Sequence, residues 1–253
     1  MKKLLLNSAA FGVFALGFAV NAVAADLPAR APMYNAPAPS WSWTGFYIGG
    51  HVGGGWGDKH WHSPAFTPSI DQGMHHVRGG LGGGQVGFNV QLANWVVGIE
   101  ADASWAALNG SNADNFFVVN GSSEVNRSKV DSVGTVAGRL GYAVDRVLGY
   151  VKGGGAWVRD EYSVSNIVAP GTVLATASEN RWGWMAGIGL EYAFAPNWSV
   201  KFEYDYLDFG TKRLQFTGPN FVPFNEDIDQ HLSLFKVGIN YRFGSSGPVY
   251  AKY

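Results

Sequence analysis

The chain has 253 residues, 18 Lys+Arg against 19 Asp+Glu, 35 Gly and no Cys. A net charge of −1 excludes the concentrated basic face of a nucleic-acid binder, and the lack of Cys excludes disulfide scaffolds, thiolate metal sites and Cys nucleophiles. Aromatics and charged residues each make up 15%, where a soluble domain carries about 25% charged, and a mean hydropathy of −0.02 excludes a bundle of apolar helices.

In chain order, Lys2 and Lys3 precede an apolar run from Leu4 to Val20 that ends in Ala22-Val23-Ala24. This is the layout of an export signal, so residues 1–24 are expected to be removed after Ala24. Residues 25–42, with Pro28, Pro32, Pro37 and Pro39 among alanines, read as a stiff extended linker on the periplasmic side. No later stretch reaches the ~18 apolar residues of a spanning helix, so any membrane span must be built from strands.

From Trp43 to Phe243 the pattern has period two. In Trp198–Tyr206, Trp198, Val200, Phe202, Tyr204 and Tyr206 fall on one face, and Ser199, Lys201, Glu203 and Asp205 on the other. Trp95–Trp105, Arg181–Phe194 and Phe235–Phe243 split in the same way. Weaker versions occupy Trp43–Trp56, Val77–Val90, Lys129–Tyr142 and Val147–Trp157. Eight strands are therefore expected. Short connections at Gln91–Asn94, Ala143–Arg146 and Ala195–Asn197 alternate with segments of about twenty residues at Gly57–His76, Ala106–Ser128, Val158–Asn180 and Gly210–Asp229. The predicted fold is all-β: an eight-stranded antiparallel transmembrane β-barrel over residues 43–243, with short periplasmic turns, four long extracellular loops and a periplasmic tail at 244–253. The uncharged face carries aromatics at both ends, Trp95, Trp198, Phe194, Tyr241 and Phe243 at one and Trp56, Trp105, Trp157, Trp182 and Tyr206 at the other. Such paired girdles suit a lipid-facing wall, whereas a soluble barrel with its apolar face turned inward has no need of them.

Strand parity sends ten charges inward: Glu100, Asp102, Glu191, Glu203 and Asp205 against Arg139, Lys152, Lys201, Lys236 and Arg242. Eight strands leave an interior that side chains just fill, so these charges are expected to form an ion-pair plug in place of an open pore. Chemistry-bearing motifs are few. Gly82-x-Gly84-x-x-Gly87 fits the dinucleotide fingerprint only formally, because a strand follows it and no helix. His231 and Ser233 lack an acidic partner or a nucleophile motif, so no enzyme activity is expected. His60, His62, His75 and His76 lie in the expected first loop with Trp61 and Met74, a set that could offer axial donors to haem iron or ligands to a divalent metal. Neither a firm cofactor nor a firm metal is assigned.

Several segments taken together, Trp43-Thr-Gly-Phe-Tyr-Ile-Gly, Gln85-Val-Gly-Phe-Asn-Val-Gln, Gly98-Ile-Glu-Ala-Asp, Gly134-Thr-Val-Ala-Gly-Arg-Leu-Gly-Tyr, Gly189-Leu-Glu-Tyr-Ala-Phe and Lys236-Val-Gly-Ile-Asn-Tyr-Arg-Phe, resemble the small eight-stranded outer-membrane (porin-family) proteins of alphaproteobacteria. The resemblance covers the mature chain. It implies an integral outer-membrane protein with a structural role in envelope integrity, in contact with lipid and lipopolysaccharide and inserted by the barrel-assembly machinery through the Tyr241–Phe243 end. It also implies two alternatives, a small passive channel and haem capture. One departure from the pattern is the ten residues that follow Phe243.

Overall fold

The computed structural model describes residues 41–63, 70–113, 124–166, 173–218 and 221–243. The expected leader (1–24), the linker up to residue 40 and the tail (244–253) lie outside the described residues. Eight strands close into one antiparallel ring: β1 Gly45–Ser63, β2 Ile70–Leu92, β3 Trp95–Ala113, β4 Glu124–Val144, β5 Val147–Asn166, β6 Val173–Ala195, β7 Trp198–Gly218 and β8 Phe221–Phe243. Closure by the β1–β8 pairing leaves no free edge, which hydrocarbon demands of any strand-built wall.

At the short-connection end the hairpins are tight. Ala93 (φ 55°) and Asp145 (φ 52°) adopt the left-handed conformation that a two-residue turn needs. Two of the three turns are also tied to a neighbouring strand end by an asparagine: Asn94 Nδ2 donates to Ala143 O at 2.9 Å, and Asn197 Nδ2 to Arg242 O at 2.7 Å.

The outward face matches the sequence reading. Ile99 is 66% exposed, Trp105 80% and Trp182 77%, and the apolar band between the girdles carries no charge. The other end requires a correction. The four long loops are mostly strand, and only the connections at 64–69, 114–123, 167–172 and 219–220 separate the strands there. A strand crosses the hydrocarbon in about 9–11 residues, and these run from 19 to 23. The barrel therefore stands well clear of the outer girdle.

The reason these segments read as loops is an inversion of polarity. Beyond the girdle the outward positions turn polar (Asp58, His60 and His62 on β1, Arg127 and Lys129 on β4, Arg159 and Glu161 on β5), while large apolar residues join the inward positions beside a few buried polar ones such as Lys59 and Asp160. Trp61, Tyr162, Val164, Ala175, Leu214, Phe216 and Ile228 make an internal cluster there. The extension is built like a soluble barrel on top of a membrane one. Pairing also weakens at two seams. β2 and β3 part above Arg78↔Asn109, and between β6 and β7 no pairs join Trp184↔Asp208 to Thr176↔Thr217. The upper wall thus approaches two four-stranded sheets, β7-β8-β1-β2 and β3-β4-β5-β6, held together by the apolar cluster between them.

Candidate functional site

The inward residues of β5 show the interior from bottom to top: Leu148 and Tyr150, then Lys152, then Ala156 and Val158, then Asp160, then Tyr162 and Val164. Apolar and charged layers alternate. The lowest apolar layer joins Trp43, Val96, Ala143, Leu148, Tyr150 and Ala193. A middle one includes Leu108, Val133, Val158, Met185, Leu207, Leu232 and Leu234. The cluster around Trp61 is the third.

The lower charged layer holds nine of the ten charges singled out in the sequence. Lys152 Nζ lies 2.9 Å from Glu203 Oε1, 3.1 Å from Glu100 Oε1, 3.4 Å from Asp102 Oδ2 and 3.7 Å from Asp205 Oδ2. Lys201 Nζ lies 3.0 Å from Glu100 Oε1 and 3.3 Å from Glu203 Oε2. Lys236 Nζ reaches Asp205 Oδ2 at 2.6 Å, Glu203 Oε1 at 3.0 Å and Asp102 Oδ1 at 3.2 Å. Arg139 pairs with Glu191, and its guanidinium stacks 3.6 Å from the Tyr150 ring centroid. Room for these stems comes from glycine: a Cβ at Gly187 would strike the Asp205 carboxylate and press on the Lys152 chain. The oxygens of Glu100, Asp102 and Glu203 converge closely enough to suggest a cation site. The ammonium groups of Lys152, Lys201 and Lys236 already supply that positive charge.

Arg242 is the exception. It lies at the lower mouth, donates to Thr44 O at 3.0 Å and to Pro196 O at 3.4 Å, and sits 4.5 Å from the Trp41 ring centroid. Parity placed it inside correctly, but its height on β8 puts it below the carboxylates. The layer therefore balances five acids against four bases.

Neutral partners that sequence reasoning missed complete the layer. Tyr47 OH donates to Glu100 Oε2 and Tyr150 OH to Glu203 Oε2, both at 2.8 Å. Asn240 Nδ2 donates to Glu191 Oε1 at 2.8 Å and accepts at Oδ1 from Gln85 Nε2 at 2.7 Å. His51 bridges Gln85 Oε1 at 2.6 Å and Ser104 Oγ at 2.7 Å. All sit at inward positions, so parity was the available signal for them too.

A second charged layer was also missed, because its residues fell in presumed loops. Lys59 Nζ lies 2.9 Å from Asp160 Oδ1 and 3.2 Å from Tyr162 OH, with both charged groups fully buried. Burial pushes the Lys59 ammonium below its ordinary range, although Asp160 pulls it the other way. Arg181 Nη1 donates to Ile228 O at 2.9 Å and to Gly210 O at 3.4 Å, so its side chain closes the β6/β7 seam.

The histidines of the expected first loop sit on strands β1 and β2. His60 and His62 project outward side by side, with ring centroids 6.3 Å apart. His76 is bound to Asp58, which also meets His231 Nε2 at 3.2 Å. The side chain of His75 lies outside the described residues. Partial burial pushes the Asp58 carboxyl up, but the hydrogen bonds from His76 and His231 outweigh this and hold it below its ordinary value. The cluster is solvent-exposed, so Asp58→Asn is expected to cost less than about 1 kcal/mol at neutral pH. Urea titration of the refolded variant checks this, and a larger loss would mean that Asp58 holds the upper sheet together. Ser233 Oγ meets Tyr204 OH at 3.0 Å, whereas the partner of His231 is Asp58.

Comparison with known proteins gives a consistent result. Residues 13–243 match the family described as the outer membrane protein beta-barrel domain. The chain is 36% identical to the 31 kDa outer-membrane immunogenic protein of Brucella melitensis, covering 96% of this chain and 100% of the relative. It is 30% identical to the 25 kDa outer-membrane immunogenic protein of the same species, covering 96% and 99%. Among solved structures it is similar to the outer membrane protein OprG of Pseudomonas aeruginosa at 12% identity and a TM-score of 0.47, covering 82% of this chain and 99% of that one.

Proposed function

Because the chain belongs to the outer-membrane β-barrel domain family, we propose that it works as a sealed structural element of the outer membrane, neither conducting solutes nor catalysing a reaction. It is an integral outer-membrane protein, and the wall described above is the part that faces lipid. The carrying observation is the interior, where three apolar layers alternate with two charged ones of mixed sign and, among the described residues, no ring of like charge lines a path. A passive channel needs such a path. Single-channel recording of the refolded protein in planar bilayers is expected to show no steady conductance. Reproducible unitary steps that vanish on heat denaturation would reverse the assignment in favour of a small pore.

The partners proposed are membrane lipid and lipopolysaccharide. Arg78, level with Trp56 across the β1–β2 pairing, and Arg159, two residues beyond Trp157, are exposed outward and make no ion pair among the described residues. Guanidinium groups at that height suit headgroup phosphates, which they bind in bidentate geometry. Assembly is assigned to the Tyr241–Phe243 end of β8, where Phe243 projects outward and packs on Phe46 with centroids 5.7 Å apart.

A further inference from the structure

The outer face of the extension carries a grid that the structural role leaves unused. Across β7, β8, β1 and β2 the rows read Asp208–His231–Asp58–His76, then Thr211–Asp229–His60–Met74, then Arg213–Asp227–His62. Residues directly opposite on one face of an antiparallel pair have Cβ atoms about 4.5–5.5 Å apart. His60 therefore stands beside Asp229, and His62 beside Asp227.

The members of the grid differ in what they already hold. Asp58 occupies both His76 and His231. Asp227 is gripped by Arg213 through two bonds of 2.7 and 2.8 Å. Among the described residues, Asp229 accepts a single 3.3 Å bond, from the Thr211 hydroxyl. Among the described residues, neither the His60 nor the His62 imidazole is hydrogen-bonded to a carboxylate, and the two rings lie nearly parallel, 18° apart. A His-x-His pair on a strand directs two imidazoles to the same side, because side chains alternate. Two imidazoles on one tetrahedral zinc, at about 2.0–2.1 Å each, place their ring centroids about 5 Å apart. The observed 6.3 Å is within a side-chain rotation of that value.

We propose that His60, His62 and Asp229 form a surface site for a borderline-soft divalent cation such as Zn²⁺, with water completing the shell. Two imidazoles and one carboxylate favour this class over Mg²⁺ or Ca²⁺, which prefer oxygen-only shells. The site stands on the extracellular extension, clear of the lumen, so it fills and empties without disturbing the sealed core.

The test is calorimetric titration of untagged, refolded protein in detergent with Zn²⁺ alone, with Mg²⁺ as the control. Saturable binding of one equivalent of Zn²⁺ is expected, with no comparable heat from Mg²⁺. His60→Ala and His62→Ala should each weaken it by about tenfold or more, since even outer-shell losses reach that size. Asp229→Asn should weaken it less, and His76→Ala should leave it unchanged. All positions face outward, so heat-modified gel mobility should confirm that each variant folds. Absence of saturable Zn²⁺ binding, equal binding of Mg²⁺, or binding that survives loss of both His60 and His62 overturns the site. A loss with His76→Ala as large as with His60→Ala overturns it too, because it moves the ion to Asp58.

Discussion

Lys152→Met is expected to lower the unfolding free energy of the barrel in lipid vesicles by about 3–5 kcal/mol, the usual consequence of stripping one partner from a buried ion pair. The Lys152 ammonium lies within 4 Å of four carboxylates, Glu100, Asp102, Glu203 and Asp205. Its removal takes a layer of five acids and four bases to five against three, with all five acids buried. The methionine has nearly the same reach, so a packing defect is not the main loss. A second variant separates charge from shape. Lys152→Met combined with Glu203→Gln restores the original difference of one charge while keeping an acceptor for Tyr150, and it should recover more than half of the lost stability. Urea titrations of the two variants decide the matter. A single variant within about 1 kcal/mol of the parent would mean that water reaches these carboxylates and that the layer is no seal.

The charged layer was half legible in the sequence. Parity alone assigned Glu100, Asp102, Arg139, Lys152, Glu191, Lys201, Glu203, Asp205 and Lys236 to the inside, because each strand's outward side is uniformly apolar within the membrane and sets the register. Parity does not give height. Arg242 has the right face but stands at the mouth, where it meets backbone carbonyls and Trp41. The Lys59–Asp160 layer was hidden for a different reason. Once a strand leaves the bilayer its outward side must be polar, and its inward side is free to become apolar. At that point Trp61 and Ile228 change places with Asp58 and Asp229 in the alternation, and a search for one continuous apolar face ends there. The period of two continues through the girdle, and only its sign reverses. Following period without polarity would have carried β1 on from Trp56 to Ser63 and β8 back from Phe235 to Phe221.

The same reversal makes the membrane band testable by position. Ile99 lies on β3 between Trp95 and Trp105, directly opposite Phe88 and Gly138, with its side chain outward and 66% exposed. If lipid covers that side chain, Ile99→Arg places a guanidinium near the bilayer midplane, at a cost of about 2–4 kcal/mol that falls to ~0–1 near the interfaces. Phe202→Arg on β7, four positions above Trp198, should behave alike, whereas an arginine at Ser111, outward but beyond the girdle, should cost almost nothing. The depth dependence carries the argument, since a general intolerance of arginine on this wall would penalise all three positions equally. Unfolding in vesicles, monitored by tryptophan emission, measures it directly. Losses below about half a kcal/mol at both Ile99 and Phe202 would place the hydrocarbon elsewhere on the barrel. Large losses there, with none at Ser111, fix the outer boundary of the membrane at the Trp56–Trp105–Trp182 ring and leave the upper sheets in water.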